Sequence, residues 1–268
     1  MSKIFLGIDT SNYTTSAALC ADGEIVENFK ILLSVSKGER GLRQSDALFQ
    51  HTKNIPLLME RVREALGGRP LSGVGVSERP RNLDGSYMPC FLAGLSAAES
   101  ISAAAGLPIY RFSHQCGHVM AALYSSAASF PKEQAFGAFH ISGGTTELLH
   151  IRSRSEKGFD AQLVGGTKDL NAGQAVDRIG VAMGLDFPAG PALEKLALQN
   201  DKKIPRPKIS GDGMSFHLSG LENLALKLYK DTNDAPLTAA FVLDYIARAL
   251  EFATIAFRRE YGDRTSVV

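Results

Sequence analysis

Phe139-His140-Ile141-Ser142-Gly143-Gly144-Thr145-Thr146 reads as an apolar strand that runs into a turn of hydroxyls and glycines. An apolar return strand follows, Glu147–Arg152. The opening of the chain has the same grammar. Gly7-Ile8-Asp9-Thr10-Ser11 leads through Asn12 and Tyr13 to Thr14-Thr15 and a second apolar strand, Ser16–Cys20. Either turn alone could be a solvated hairpin. Glycines, however, let a backbone approach a ligand closely, and successive N–H groups can converge on an anion. Asp9, Ser11 and Asn12 are therefore phosphate-loop candidates. Two such strand–turn–strand units in one chain point to a duplicated α/β unit with a cleft between its halves.

Working outward from the first turn, Ala21-Asp22-Gly23 closes a hairpin, and Glu24–Leu32 reads as a third antiparallel strand. Ser34–Ser45 is polar and reads as a surface loop. Asp46–Leu66 has helical spacing and stops at Gly67-Gly68. His51 lies inside that helix, where packing is favoured over catalysis. Val74–Ser77 is a short strand, followed by a charged loop from Glu78 to Pro89. Phe91–Ala105 is a helix rich in small residues.

Beyond the second turn, Phe159–Val164 is a strand and Asn171–Leu185 is helical. Asp177 sits within that helix. Phe187-Pro188-Ala189-Gly190-Pro191 is a rigid turn, and Pro191 suits the first position of the helix Ala192–Leu198. Asn200–Gly213 reads as loop, Ser219–Tyr229 and Leu237–Tyr261 as helices, and Thr265–Val268 as the start of a strand.

Composition bounds the function. The chain has 268 residues, 44% hydrophobic and 21% charged, as in ordinary globular proteins. A net charge of +1 gives no strong overall field for nucleic acid, although a local patch remains compatible with it. Three scattered cysteines suggest a reducing compartment rather than a disulfide framework. The N-terminal apolar stretch is too short for a signal sequence or a membrane span, so the expectation is a cytoplasmic protein with no membrane association.

His114-Gln115-Cys116-Gly117-His118 carries the remaining chemistry. A strand candidate, Leu107–Ser113, runs into it, and an apolar helical run, Val119–Ala127, leaves it. On a helix, positions four apart share a face, so both rings could address one ion. Cys116 points away from that face, which favours packing.

These motifs, with Ala172-Gly173-Gln174-Ala175-Val176-Asp177, Phe187–Leu196 and Ser219-Gly220-Leu221, occur in an order and spacing that resembles the TsaD/Gcp family. That family comprises tRNA threonylcarbamoyladenosine synthase subunits, once labelled O-sialoglycoprotein endopeptidases. The resemblance covers the whole chain. It implies an α/β, actin-like ATPase fold (ribonuclease H-like), with duplicated lobes, residues 1–108 and 109–268, around a nucleotide cleft. It implies an acyltransferase that moves a threonylcarbamoyl group from threonylcarbamoyl-adenylate to N6 of the adenosine 3′ of the anticodon in tRNA. It also implies one divalent metal, iron or zinc, on His114 and His118. The adenylate ligand falls to His140, Ile141, Ser142, Gly143, Gly144, Asp177 and Gly190. Partner subunits of a modification complex are expected as well. No protein nucleophile is required, because the leaving group is already activated.

The chain departs from the family pattern in places. Cys116 stands where a glutamate is usual, Tyr13 and Thr14 where an acidic pair is usual. Ala189, Thr145 and Glu222 replace a glycine, a histidine and a lysine. The family continues past Val268 to a late aspartate, the third metal ligand. The chain therefore resembles a divergent, C-terminally shortened member, expected to bind metal weakly. Two other readings stand beside this one. A non-catalytic nucleotide-binding paralogue, serving as a complex or regulatory subunit, fits the altered positions. A metalloprotease fits the His-x-x-x-His spacing, but Gln115 occupies the place of its general base.

Overall fold

Strand β1 (Ile4–Asp9) alternates buried and half-buried residues, with Ile4, Leu6 and Ile8 turned into a core. It pairs antiparallel with β2 (Thr14–Ala21), which pairs antiparallel with β3 (Glu24–Leu32). The β2–β3 turn places Asp22 at φ 53° and Gly23 at φ 91°, both left-handed, as a tight hairpin requires. These features belong to a computed structural model that describes residues 2–35, 42–126, 135–154 and 158–262.

The chain forms two compact units, Met1–Ser126 and Ala127–Val268. In the first, helix α1 (Gln44–Leu66) precedes β4 (Gly73–Arg79), α2 (Phe91–Ala105), β5 (Ile109–Ser113) and α3 (His114–Ser125). The sheet order is β3-β2-β1-β4-β5, with β1, β4 and β5 mutually parallel. Its core joins the inward side chains of β1, β2 and β4 to Leu58 and Val62 of α1 and Ala98 of α2. Thr10 is wholly buried. Its hydroxyl donates to Cys90 O at 2.9 Å and accepts from Gly94 N at 3.1 Å, which ties the end of β1 to the start of α2.

The second unit repeats the opening. Strands β6 (Phe136–Ile141), β7 (Thr146–Arg154) and β8 (Gly158–Thr167) form an antiparallel meander. Then come α4 (Ala172–Ala182), α5 (Gly190–Ala197), two-residue strands β9 (Gly211–Asp212) and β10 (Ser215–Phe216), α6 (Ser219–Thr232) and α7 (Ala235–Tyr261). The sheet order is β6-β7-β8-β10-β9. Ile179, Leu193, Phe216, Leu221, Val242 and Phe257 centre its core. Asp234 caps α7, accepting from Leu237 N at 2.9 Å.

Three expectations need adjusting. The division between units falls after Ser126 rather than at 108/109, because β5 pairs with β4 inside the first sheet. Strand β9 begins within the expected loop Asn200–Gly213, and β10 follows it; both pair only through tertiary contacts. Helix α3 starts at His114 rather than at the start of the expected run, Val119, so both histidines lie on the helix, as their shared face requires. The expected strand Thr265–Val268 and the middle of the loop Ser34–Ser45, residues 36–41, lie outside the described residues.

Candidate functional site

Because β1, β4 and β5 run parallel, their carboxyl ends share one edge of the first sheet, the edge where open α/β sheets bind ligands. Asp9 ends β1, Ser77 and Arg79 lie near the end of β4, and Ser113 ends β5. Arg79 and Ser113 are register partners. Ser113 then caps α3, its hydroxyl accepting from Cys116 N at 3.3 Å. The cap fixes the first turn of α3 and so the start of the histidine pair. The charged loop after β4 is held there too, since Gln115 N donates to Pro80 O at 3.1 Å.

The two rings lie 4.3 Å apart, centre to centre, at 73°. His114 Nδ1 is 3.0 Å from Asp9 Oδ2. Burial opposes charge on Asp9, yet the hydrogen bond from His114, with those of Ser11 and Ser77, holds its carboxyl well below the usual carboxylate range. An ionised carboxylate only accepts, so Nδ1 carries the proton that donates to it. Burial, followed by the neighbouring His114, pushes His118 down and favours its neutral ring, the form that ligates metals. This donor set suits two positions of a metal shell. Among the described residues no group of three or more His, Cys, Asp or Glu is placed to hold an ion.

Cys116 is buried, 3.2 Å from Ser113 Oγ, and Asn82 Nδ2 donates to its sulfur at 3.4 Å. That is a packing position, as its place in the helix predicts. Gln115 is buried as well, which leaves no exposed base at the position a metalloprotease requires.

The first turn, which holds the phosphate-loop candidates Asp9, Ser11 and Asn12, is bonded largely to itself and to His51. Ser11 N donates to Asp9 Oδ1 at 3.0 Å, and the Ser11 hydroxyl donates to the same oxygen. Both Ser11 donors are thus engaged by the Asp9 carboxylate. The Asn12 carbonyl accepts from His51 Nε2 at 3.0 Å. His51 is wholly buried, with Nδ1 2.9 Å from Thr15 Oγ1, and acts as a packing residue that pins this turn.

The second turn is more open. His140 and Ile141 end β6, and Ser142 N donates to Thr145 O at 2.7 Å, closing the turn. Gly143 and Gly144 would each place a Cβ in open space, so one face of the turn is clear. The N-terminus of α4 abuts it. A Cβ on Gly173 would meet Gly143 N at 2.7 Å and Ser142 O at 2.8 Å, so only glycine permits this approach. A helix N-terminus beside a glycine turn favours an anion. Asp177, one turn on, accepts from Ala189 N at 2.8 Å and so holds the segment that leads into Gly190 and α5.

The structure thus brings Asp9, Ser11, His114 and His118 together in the first unit, and the 140–144 turn and the start of α4 together in the second. Sequence reading missed Ser77 and the link from Asp9 to His114. Both depend on which strands are neighbours, and no local pattern carries that.

The sequence profile of the TsaD family, tRNA N6-adenosine threonylcarbamoyltransferase, matches residues 28–262. Proteins of that name are similar over most of the chain. The one from Streptococcus suis (strain 05ZYH33) is 31% identical over 253 residues, covering 89% of this chain and 71% of that protein. One from Thermus thermophilus is 32% identical over 273 residues, covering 98% and 79%. Among solved structures, T. kodakarensis HypF aligns with 97% of this chain and 40% of its own at a TM-score of 0.57 and 11% identity, a likeness of fold alone. The two-sheet α/β architecture is that of the actin-like ATPase fold. On this profile match and these relatives, the chain belongs to the TsaD family of tRNA N6-adenosine threonylcarbamoyltransferases.

Proposed function

We propose that this protein transfers the threonylcarbamoyl group of threonylcarbamoyl-adenylate to N6 of the adenosine 3′ of the anticodon in tRNA. The observation that carries this reading is the histidine pair at the carboxyl edge of the first sheet, one ring backed by a half-buried carboxylate, in a chain of this family. His114 and His118 hold one divalent ion, iron or zinc, which when bound supplies Lewis acidity for a carbonyl. The Ser142-Gly143-Gly144 turn, beside the N-terminus of α4, receives the adenylate on its clear face, with the Gly143 N–H as the backbone donor toward its phosphate. Asp177 and Gly190 position the adenylate, Asp177 by fixing Ala189 beside Gly190. His140 and Ile141 set the entry to the turn. In the reaction, N6 bonds to the carbamoyl carbon, the bond to the phosphate oxygen breaks, AMP departs with the electron pair and one N6 proton is released. The phosphate leaves readily, so no side chain need act as nucleophile.

The expected setting is cytoplasmic, with tRNA and partner subunits of a modification complex. No helix among the described residues is long and apolar enough to cross a membrane. The test is mass spectrometry of nucleosides from tRNA incubated with threonylcarbamoyl-adenylate and metal-loaded protein. Wild-type protein forms the modified adenosine; His114→Ala and His118→Ala fall to background. No product from wild type sinks the transferase reading.

A second reading is favoured by the internal use of Ser11 and by Tyr13, which is exposed where the family carries an acid. It is a non-catalytic subunit that binds adenylate without turnover. Adenylate binding by calorimetry, together with the absence of product, would distinguish it.

A further inference from the structure

The geometry points to Asp9 as a positioning residue that fixes the tautomer and the direction of His114, so that Nε2 is the atom His114 presents to an ion. The inference rests on the reading that His114 and His118 are metal ligands.

Each atom of Asp9 has a settled use. Oδ2 receives His114 Nδ1–H at 3.0 Å. Oδ1 receives both the backbone N–H and the hydroxyl of Ser11. Ser77, from the neighbouring parallel strand, also favours the ionised carboxylate. With both oxygens anchored, the carboxylate cannot swing, and the ring it holds cannot turn over without losing a charged hydrogen bond. A neutral imidazole protonated at Nδ1 has its lone pair at Nε2, so one contact sets both the protonation and the aim of the ring. Metal-ligating histidines are commonly backed in this way by a carboxylate, which also makes the ligand nitrogen more basic. Phe91 packs edge-on against the same ring at 6.3 Å and narrows its freedom further. The Ser11 hydroxyl therefore serves the carboxylate that orients the histidine.

Two measurements on the full 268-residue chain test this. The first is nitrogen-15 NMR of the histidine rings in metal-free protein. Wild type shows His114 as a single Nδ1–H tautomer. Asp9→Ala shifts it toward Nε2–H or a mixture, while Asp9→Asn, which keeps an acceptor, retains the wild-type form. The second is titration with Zn2+ and with Co2+. Asp9→Ala weakens binding about 10- to 100-fold, and Asp9→Asn by less. Thermal unfolding of each variant separates lost positioning from lost folding. An unchanged His114 tautomer in folded Asp9→Ala overturns the proposal, as does unchanged affinity for both ions. Wild-type protein that takes up neither ion overturns the ligand reading instead, and the tautomer measurement still decides whether Asp9 orients His114.

Discussion

A buried histidine with both nitrogens engaged is a structural part, and His51 shows what that entails. Its Nε2 proton goes to the Asn12 carbonyl and its Nδ1 accepts from Thr15, whose oxygen in turn accepts from Asn54 Nδ2 at 3.1 Å. His51→Ala strands these partners in the interior, and the expected cost is about 2–4 kcal/mol in urea unfolding. Burial pushes His51 below its ordinary value of 6.5, against smaller opposing effects of Asn12 and Asp9. The folded chain thus prefers the neutral ring, whereas the unfolded chain protonates near the ordinary value. Its contribution to stability is present above about pH 6.5 and is lost as pH falls through the lower folded value. Urea midpoints at pH 7.5 and 5.5 should show this loss, and His51→Gln should flatten the difference. The sequence suggested a packing role for His51 because it lies mid-helix; it could not show the turn that the ring pins.

At the scale of elements, hydrophobic periodicity located the long pieces well. Helix α2 has the bounds its pattern gives, and α7 differs only at its first turn. Strands β9 and β10 escaped because two residues have no period; they exist only through pairing with β8 and with each other. The contact between α4 and the Ser142–Gly144 turn was also invisible in sequence, although its signature, Gly173, lies within a recognised motif. Gly173→Ala pushes a methyl into the backbone of that turn. The expected outcome is a loss of adenylate affinity of at least about tenfold by calorimetry, with a stability cost of about 1–3 kcal/mol from overpacking. Unchanged affinity would remove this turn from the binding surface.

For the molecule as a whole, the duplication was legible because both units begin with the same strand, turn and strand. The boundary was not, because Leu107-Pro108 looks like an ending and nothing local reveals that β5 joins the first sheet. Each unit has its own core, so large-to-small changes should act within one. Phe257→Ala, from a wholly buried side chain of the second core, should cost about 3–5 kcal/mol. The histidine tautomers of the first unit should be unaffected in the folded variant. The third ligand expected for the metal was never legible within these residues. That expectation came from resemblance, and among the described residues no complete donor set appears.

The parallel arrangement of β1, β4 and β5 has a thermodynamic corollary. Asp9, Ser77 and His114 come from three distant parts of the chain and meet only when that sheet has closed. An ion captured by the finished arrangement, and ignored by the open chain, acts as a ligand for the native state. At 100 times its dissociation constant, such an ion adds about 2.7 kcal/mol to the stability of what it binds. The melting temperature of the first unit then becomes a titratable gauge of site assembly, readable by calorimetry without any substrate.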